Sequence, residues 1–261
     1  MHDIINLNRY PLDQPESAGW WSLINECRHR LASDGLFNLP GFICDNAIAT
    51  TVEQLKPLLL TDAYTHSRRH NIYFKPSIED LPASHAALTE FETSNRTLCA
   101  DQISQSALIQ LYEWAPFARF LAAVMDKPEL FTMDDPMARV NVMGYFEDCA
   151  LNWHFDRSEF TTTLLLQAPL AGGEFEYERA LRSDTDPNYE GVADLLEGRR
   201  TPARLSLNPG TLNVFRGRNT AHRVTPVEGH KQRIIAVFSY YEQPGVCFSK
   251  EERIGFYGRA S

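Results

Sequence analysis

The chain has no run of about 18 apolar residues, so no helix that crosses a membrane is expected. Its opening, Met1 to Arg9, has no basic segment followed by an apolar one, which argues against a secretory leader. It also lacks an excess of base. There are 25 Lys and Arg against 34 Asp and Glu, a formal charge of −9. This disfavours nucleic acid as a partner, because phosphate binding uses a basic face. Cysteines are few: Cys27, Cys44, Cys99, Cys149 and Cys247 are odd in number and far apart, with no Cys-x-x-Cys pair. Neither zinc nor dithiol chemistry is indicated. Reduced thiols, mostly small buried side chains, and a cytoplasmic location are expected. No internal repeat and no low-complexity segment is present.

What is present suits one compact domain. Hydrophobic residues make up 43% of the chain, enough for a sizeable core. Residues 16–33 carry Trp20, Trp21, Ile24, Cys27 and Leu31 on one stripe, which predicts an amphipathic helix ended by Asp34-Gly35. Leu36 to Ile43 reads as an edge strand. Asp45 is a candidate N-cap for a helix to about Leu60, which Pro57 should bend or end. Thr65 to Asn71 is polar and locally basic and reads as a solvated loop before a short Ile72-Tyr73-Phe74 strand. The sharper reading is that Arg68 or Arg69 reaches into a site to hold an anion. Residues 101–125 form a second long helical pattern, kinked or split at Pro116.

From residue 139 the period changes to two. Eight short strands are expected between Arg139 and Tyr241, separated by turns such as Ala171-Gly172-Gly173 and Asn208-Pro209-Gly210, a double-sheet jelly roll. The stretch 182–200 interrupts the pattern and reads as an insertion near the barrel mouth. The expected architecture is therefore mainly β with N-terminal helices: residues 1–138 as a helical buttress with substrate-side elements, 139–242 as the jelly-roll core and 243–261 as a C-terminal tail, all in one domain.

Trp153-His154-Phe155-Asp156 concentrates the chemistry. His-x-Asp places two metal-binding side chains on one face of a strand, and His222 arrives from a second strand. Two histidines and one carboxylate can hold Fe(II) and leave three positions open. Were the histidines mere core residues, Asp156 would be left on a buried face without a partner, which is costly. Arg233 opens the next strand, 11 residues after His222, where it could grip the far carboxylate of a keto acid or pair with a nearby acid. The set His154, Asp156, His222 and Arg233 resembles the active site of the Fe(II)- and 2-oxoglutarate-dependent oxygenases over about residues 139–242. The runs Gly172–Tyr177, Asn208–Leu212 and His222–Pro226 look like those of small bacterial enzymes that hydroxylate free amino acids, a group related to radical halogenases.

The resemblance implies Fe(II), 2-oxoglutarate and molecular oxygen as cofactor and cosubstrates. It also implies a small-molecule substrate, most simply an amino acid, and no nucleic-acid partner. Nucleic-acid demethylases on this fold carry an Arg-x-Asn-x-Thr-x-Arg run that the strand at Arg233 lacks. Asn141 and Tyr145 share a face of the first barrel strand, where polar residues of related enzymes help hold the cosubstrate; the bland reading is that they face water. Arg157 directly follows Asp156 and either contacts a substrate carboxylate or pairs with Glu159. Trp153, Phe215, Phe238 and Tyr240 are assigned to packing. Related halogenases leave the carboxylate position small so that chloride can bind iron. Asp156 fills it here, so hydroxylation is expected. Two other readings stand beside this one: a protein side-chain hydroxylase, and a non-catalytic metal-binding jelly roll acting as a sensor.

Overall fold

The computed structural model describes Met1–Ser261. Helices α1 (Ala18–Ser33) and α2 (Asp45–Thr61) flank strand β1 (Leu36–Leu39), and β2 (Tyr64–His70) and β3 (Phe91–Leu98) follow. Then come α3 (Ala107–Glu113), α4 (Ala115–Val124), β4 (Phe131–Thr132), β5 (Val140–Tyr145), β6 (Leu151–His154), β7 (Thr161–Gln167), β8 (Ala171–Gly172) and β9 (Phe175–Glu178). The chain closes with α5 (Tyr189–Leu196), β10 (Ala203–Leu205), β11 (Leu212–Phe215), β12 (Ala221–Val224), β13 (Val227–Glu228), β14 (Arg233–Phe238), β15 (Tyr240–Tyr241) and α6 (Lys250–Tyr257).

Seven strands form a major sheet in the order β1-β11-β7-β14-β5-β3-β2, and four form a minor sheet in the order β10-β9-β12-β6. All named pairs are antiparallel. This is the jelly roll expected from the spacing of turns. The major sheet also recruits β1, β2 and β3 from before residue 139. One of its faces, with Leu98, Val140, Val142, Leu164, Leu166, Leu212, Val214, Ile234, Ala236 and Phe238, joins helix residues such as Leu55, Phe117 and Phe120 in the main core. The helices are thus a buttress on one sheet.

Several local expectations are corrected. Thr65–Asn71 is not a loop: Tyr64–His70 is a full strand paired with β3. Its side chains alternate between bulk solvent and a polar chamber, so the apolar alternation that betrays a half-buried strand is missing. Ile72-Tyr73-Phe74 is a turn rather than a strand. Asn71 Oδ1 accepts from the N–H groups of Tyr73 and Lys75 at 3.1 and 3.2 Å, and Phe74 sits at φ +55°. Helix α2 starts with Cys44 in the cap position; Asp45 lies in the first turn, where a negative charge suits the helix dipole. Pro57 does not end it, since the helix continues to Thr61. The 101–125 pattern is split: Trp114 ends α3 and caps α4, with Pro116 in the first turn of α4.

The 182–200 insertion contains α5, whose Val192 and Leu195 build a small second core with Ile72, Ala87, Trp153 and Phe155. Residues 243–261 carry α6, opened by the Ser249–Glu252 capping box. Tyr257 of α6 reaches the inner face of the major sheet, its hydroxyl donating to Asn141 Oδ1 at 2.9 Å.

Candidate metal centre and cosubstrate site

Strand β6 delivers His154, and β12 delivers His222 directly opposite it in register. Cross-strand neighbours on one face lie close enough for side chains to meet, and the two imidazole centroids are 4.0 Å apart. Asp156 falls just beyond the end of β6. Its backbone N–H donates to Gly217 O at 3.1 Å, which curls the chain so that the carboxylate turns back to the histidines. Oδ1 lies 3.3 Å from His154 Nε2, and Oδ2 lies 3.4 Å from His222 Nε2.

The tautomers are fixed from behind. His154 Nδ1 lies 2.8 Å from Asn152 O and His222 Nδ1 lies 3.0 Å from Thr220 O. A carbonyl only accepts, so each Nδ1 carries a proton, which leaves each Nε2 as the nitrogen that can give its lone pair to a metal. Burial, reinforced by His222, holds the His154 imidazolium below its ordinary pKa. Burial alone would raise the Asp156 pKa, but the facing histidines outweigh it and hold the carboxyl well below the usual carboxylate range. Two imidazole nitrogens and one carboxylate oxygen, all within 4.8 Å of one another, are the donor set of a facial iron site.

Thr161, which the sequence did not single out, and Gly217, in the turn just before His222, complete the centre. Thr161 Oγ1, at the start of β7, donates a short hydrogen bond to Asp156 Oδ2. Gly217 packs against the same carboxylate: a Cβ there would overlap both Asp156 Oδ2 and Thr161 Oγ1. Phe215, assigned to packing, is buried in a small cluster with Leu36 and Phe175 and also stands edge-on to His222 with centroids 4.8 Å apart. A threonine seven residues after a His ligand gives no sequence signal, because its partner is set by a turn rather than by strand spacing.

Arg233 starts β14 on the inner face of the major sheet. It is 3% exposed, no acid pairs with it, and its Nη1 has no hydrogen-bond partner. Burial pushes its guanidinium below the ordinary value, yet arginine stays charged in proteins. Its guanidinium carbon lies 5.7 Å from the centroid of the Tyr145 ring, its register partner on β5. A buried, unpartnered guanidinium costs several kcal/mol unless a ligand satisfies it, which fits the carboxylate of a keto acid. It opens onto a cavity of about 210 Å³ lined also by Gly172, Gly173, Phe175 and Leu205. At Gly173 (φ +60°) a Cβ would press on the Arg233 side chain.

The other candidates are placed as follows. Asn141 faces inward but both ends of its amide are engaged, Nδ2 with Met137 O at 3.0 Å and Oδ1 with Tyr257. Arg157 does not pair with Glu159. It pairs with Glu252 at 2.7 Å, lies over the Phe256 ring and is largely exposed, while Glu159 is held by Lys127 at 2.8 Å. Arg69 points away from the chamber and meets Glu90 at 3.5 Å. Arg68, on the opposite face of β2, has no acid partner. It stacks over Phe74 at 5.0 Å, and Phe74 stands edge-on to His154 at 6.3 Å. Of the three arginines, only Arg68 is thereby brought up to the metal centre.

The family model of halogenase D matches residues 21–249. The chain belongs to the halogenase D family. No curated protein matches its sequence. Solved structures agree on the fold. An oxidoreductase of the 2OG-Fe(II) oxygenase family from Burkholderia pseudomallei is 16% identical with a TM-score of 0.51, over 85% of this chain and 92% of that one. A prolyl-4-hydroxylase from Pseudomonas putida is 12% identical with a TM-score of 0.51, over 82% and 97%. HygX from Streptomyces hygroscopicus, solved with nickel and 2-oxoglutarate bound, is 13% identical with a TM-score of 0.52, over 82% and 85%. Fold, family and donor set make this halogenase D family member an enzyme of the Fe(II)/2-oxoglutarate oxygenase superfamily.

Proposed function

We propose that this enzyme hydroxylates an unactivated C–H bond of a small carboxylate-bearing metabolite, most simply a free amino acid. The observation that carries hydroxylation is Asp156. In the halogenases that the chain resembles, this position is small and chloride takes it. Here a carboxylate fills it, tied down by Thr161 and backed by Gly217. With the third protein ligand in place, no position is left for halide beyond those the cosubstrate and oxygen need.

Iron with bound 2-oxoglutarate supplies the oxidation: one oxygen atom of O2 enters the substrate C–H bond, and the keto acid leaves as succinate and carbon dioxide. The chain's part is positioning and exclusion of water. His154 and His222 present Nε2, held by the carbonyls behind Nδ1. Asp156 offers one oxygen while Thr161 occupies the other. Arg233 receives the distal carboxylate of 2-oxoglutarate bidentately, with the Tyr145 ring against its guanidinium. Arg68 holds a substrate carboxylate, and Phe74 forms the apolar wall between that carboxylate and the metal. Anchoring at one end orients one C–H bond toward the oxidant.

The test is succinate release by iron-loaded protein with free amino acids, their methyl esters and their decarboxylated amines. Acids alone should stimulate release, and Asp156→Ala should abolish it. If esters and amines stimulate as well as the acids, the carboxylate anchor is wrong; turnover by Asp156→Ala at the wild-type rate would sink the metal assignment.

A further inference from the structure

We propose that His66 and Asn95 form a second recognition point for the substrate, one that accepts a side-chain carbonyl oxygen, as in a carboxylate or carboxamide, and turns away a cationic side chain. It rests on the reading of the enzyme as an amino-acid oxygenase and names which amino acids it takes.

The register of the sheet brings these residues to the chamber. Arg68 lies opposite Thr93, His66 opposite Asn95 and Tyr64 opposite Thr97, and directly opposed residues share a face. Thr97 in turn lies opposite Met143, two residues before Tyr145, the partner of Arg233. The face is therefore the one that carries Arg233. Arg68, on the same row of β2, is joined to the metal centre through Phe74.

This face is polar where a sheet interior is normally apolar. Thr93, Asn95 and Thr97 are each at most 4% exposed, and buried polar groups are normally hydrogen-bonded. Thr93 is fully used, accepting from Asn152 N–H at 3.0 Å and meeting His70 Nε2 at 2.8 Å. Thr97 donates to Asn95 Oδ1 at 2.7 Å. The remaining Asn95 Nδ2 and the half-buried His66 ring have no partner within the chain, and Arg68 has no acid. Three groups on this face thus have donors without an acceptor in the chain, with His66 directly opposite Asn95 and Arg68 two residues along β2.

Charge decides what fits them. The inner faces of β2, β3, β5 and β14 carry no Asp or Glu. Glu92 of β3 lies opposite Arg69 on the other face and accepts from Ser67. Glu252 of α6 is committed to Arg157 and to Ser249 N–H. An ammonium entering beside Arg68 would meet like charge and no counter-ion, whereas a carbonyl oxygen would satisfy the open donors. Residues two apart on a strand are separated by about 7 Å. The two ends of a four- or five-carbon amino acid are closer together than this, a difference within reach of the long Arg68 side chain, with Arg68 taking the α-carboxylate and His66 with Asn95 the side-chain carbonyl.

The experiment is anaerobic calorimetry on the protein loaded with Fe(II) and 2-oxoglutarate, titrated with L-glutamate, L-glutamine, L-aspartate, L-asparagine, L-lysine, L-ornithine and L-norleucine. The carbonyl-bearing amino acids should bind about tenfold or more tightly than the cationic ones, the scale of one charge-assisted hydrogen bond. Acid against amide separates the two carbonyl sources. Asn95→Asp keeps the shape and the Thr97 bond, and should shift the ranking toward lysine and ornithine. His66→Leu should weaken the carbonyl-bearing set and leave norleucine unchanged. Tightest binding of lysine or ornithine by the wild type, an unshifted ranking in Asn95→Asp, or no binding of any amino acid overturns the inference. Admitting oxygen separates the two ideas. Succinate release driven by lysine removes the subsite and keeps the oxygenase; tight glutamate or glutamine binding without succinate keeps the subsite and removes the oxygenase.

Discussion

The two faces of the major sheet are made from the same strands and do opposite work. On β14, Ile234, Ala236 and Phe238 enter the main core beside Leu164, Leu166 and the helices. Their immediate neighbours Arg233, Ile235 and Val237 face the chamber. The helix-side face is satisfied mostly by apolar contact, with Arg96 donating to the carbonyls of Leu59 and Leu60, so its contribution is stability. The chamber face leaves donors without partners in the chain, Nη1 of Arg233 and Nδ2 of Asn95 among them, as the proposed binding of carboxylates there requires. The difference teaches where a ligand would gain most: at the buried guanidinium of Arg233, whose Nη1 has no partner in the chain.

Substitutions on each face test this. The largest effect is expected for Arg233→Leu. Losing a charged partner of a carboxylate costs about 2–5 kcal/mol, so the KM for 2-oxoglutarate should rise by about 30-fold to several thousand-fold. The same variant, free of ligand, should melt no lower than the wild type, because a buried unpaired charge has been removed. A lower Tm without ligand and an unchanged KM would reverse the assignment of that face.

Phe120→Ala on the helix side should do the converse. Truncating this fully buried ring should cost about 3–5 kcal/mol in chemical denaturation. The folded fraction should keep the wild-type KM for 2-oxoglutarate.

Thr161→Val removes only the hydroxyl that holds Asp156. Iron affinity, read by titration of the metal-free protein, should fall about 10- to 100-fold, and Thr161→Ser should restore it. Equal affinities for the Val and Ser variants would reduce the hydroxyl to a packing role.

The smallest effect concerns a buried carboxylate that serves only structure. Asp135 accepts from the N–H groups of Met137, Ala138 and Phe248 and from Arg253 Nε, at 2.8–3.0 Å. Burial raises its pKa, but these four donors outweigh burial and hold it below the ordinary value. A depressed folded pKa gives stability that is present above the unfolded value of about 4 and is lost as pH falls through the folded one. Asp135→Asn should therefore be less stable than the wild type by about 1–3 kcal/mol at pH 7, with the gap closing in acid. A gap that is constant with pH would show that the carboxylate charge is not what stabilises this corner.

The jelly roll and the His154/Asp156/His222 set were legible because both are written in local spacing: period two between turns, and His-x-Asp at a strand end. Strand β2 was not legible. Tyr64–His70 has polar residues on both faces, one toward solvent and one toward the chamber, and hydrophobic periodicity cannot distinguish that from a loop. Arg157 was attractive because it follows Asp156, but adjacency on a chain leaving a strand sends neighbours in different directions.

The sequence by itself determined which atoms could bind a metal and that a carboxylate, not a small residue, stands in the third position, because donor chemistry belongs to residue types. Tertiary structure decided the rest. It put Arg68 and Arg69 on opposite faces of β2 and turned Arg157 to Glu252, since one β-strand step reverses a side chain's face. It also brought Thr161 and Gly217 to Asp156, and seated Tyr257 against Asn141 116 residues earlier in the chain. Those contacts depend on sheet register and on where a turn closes, and neither is encoded within any single stretch of residues.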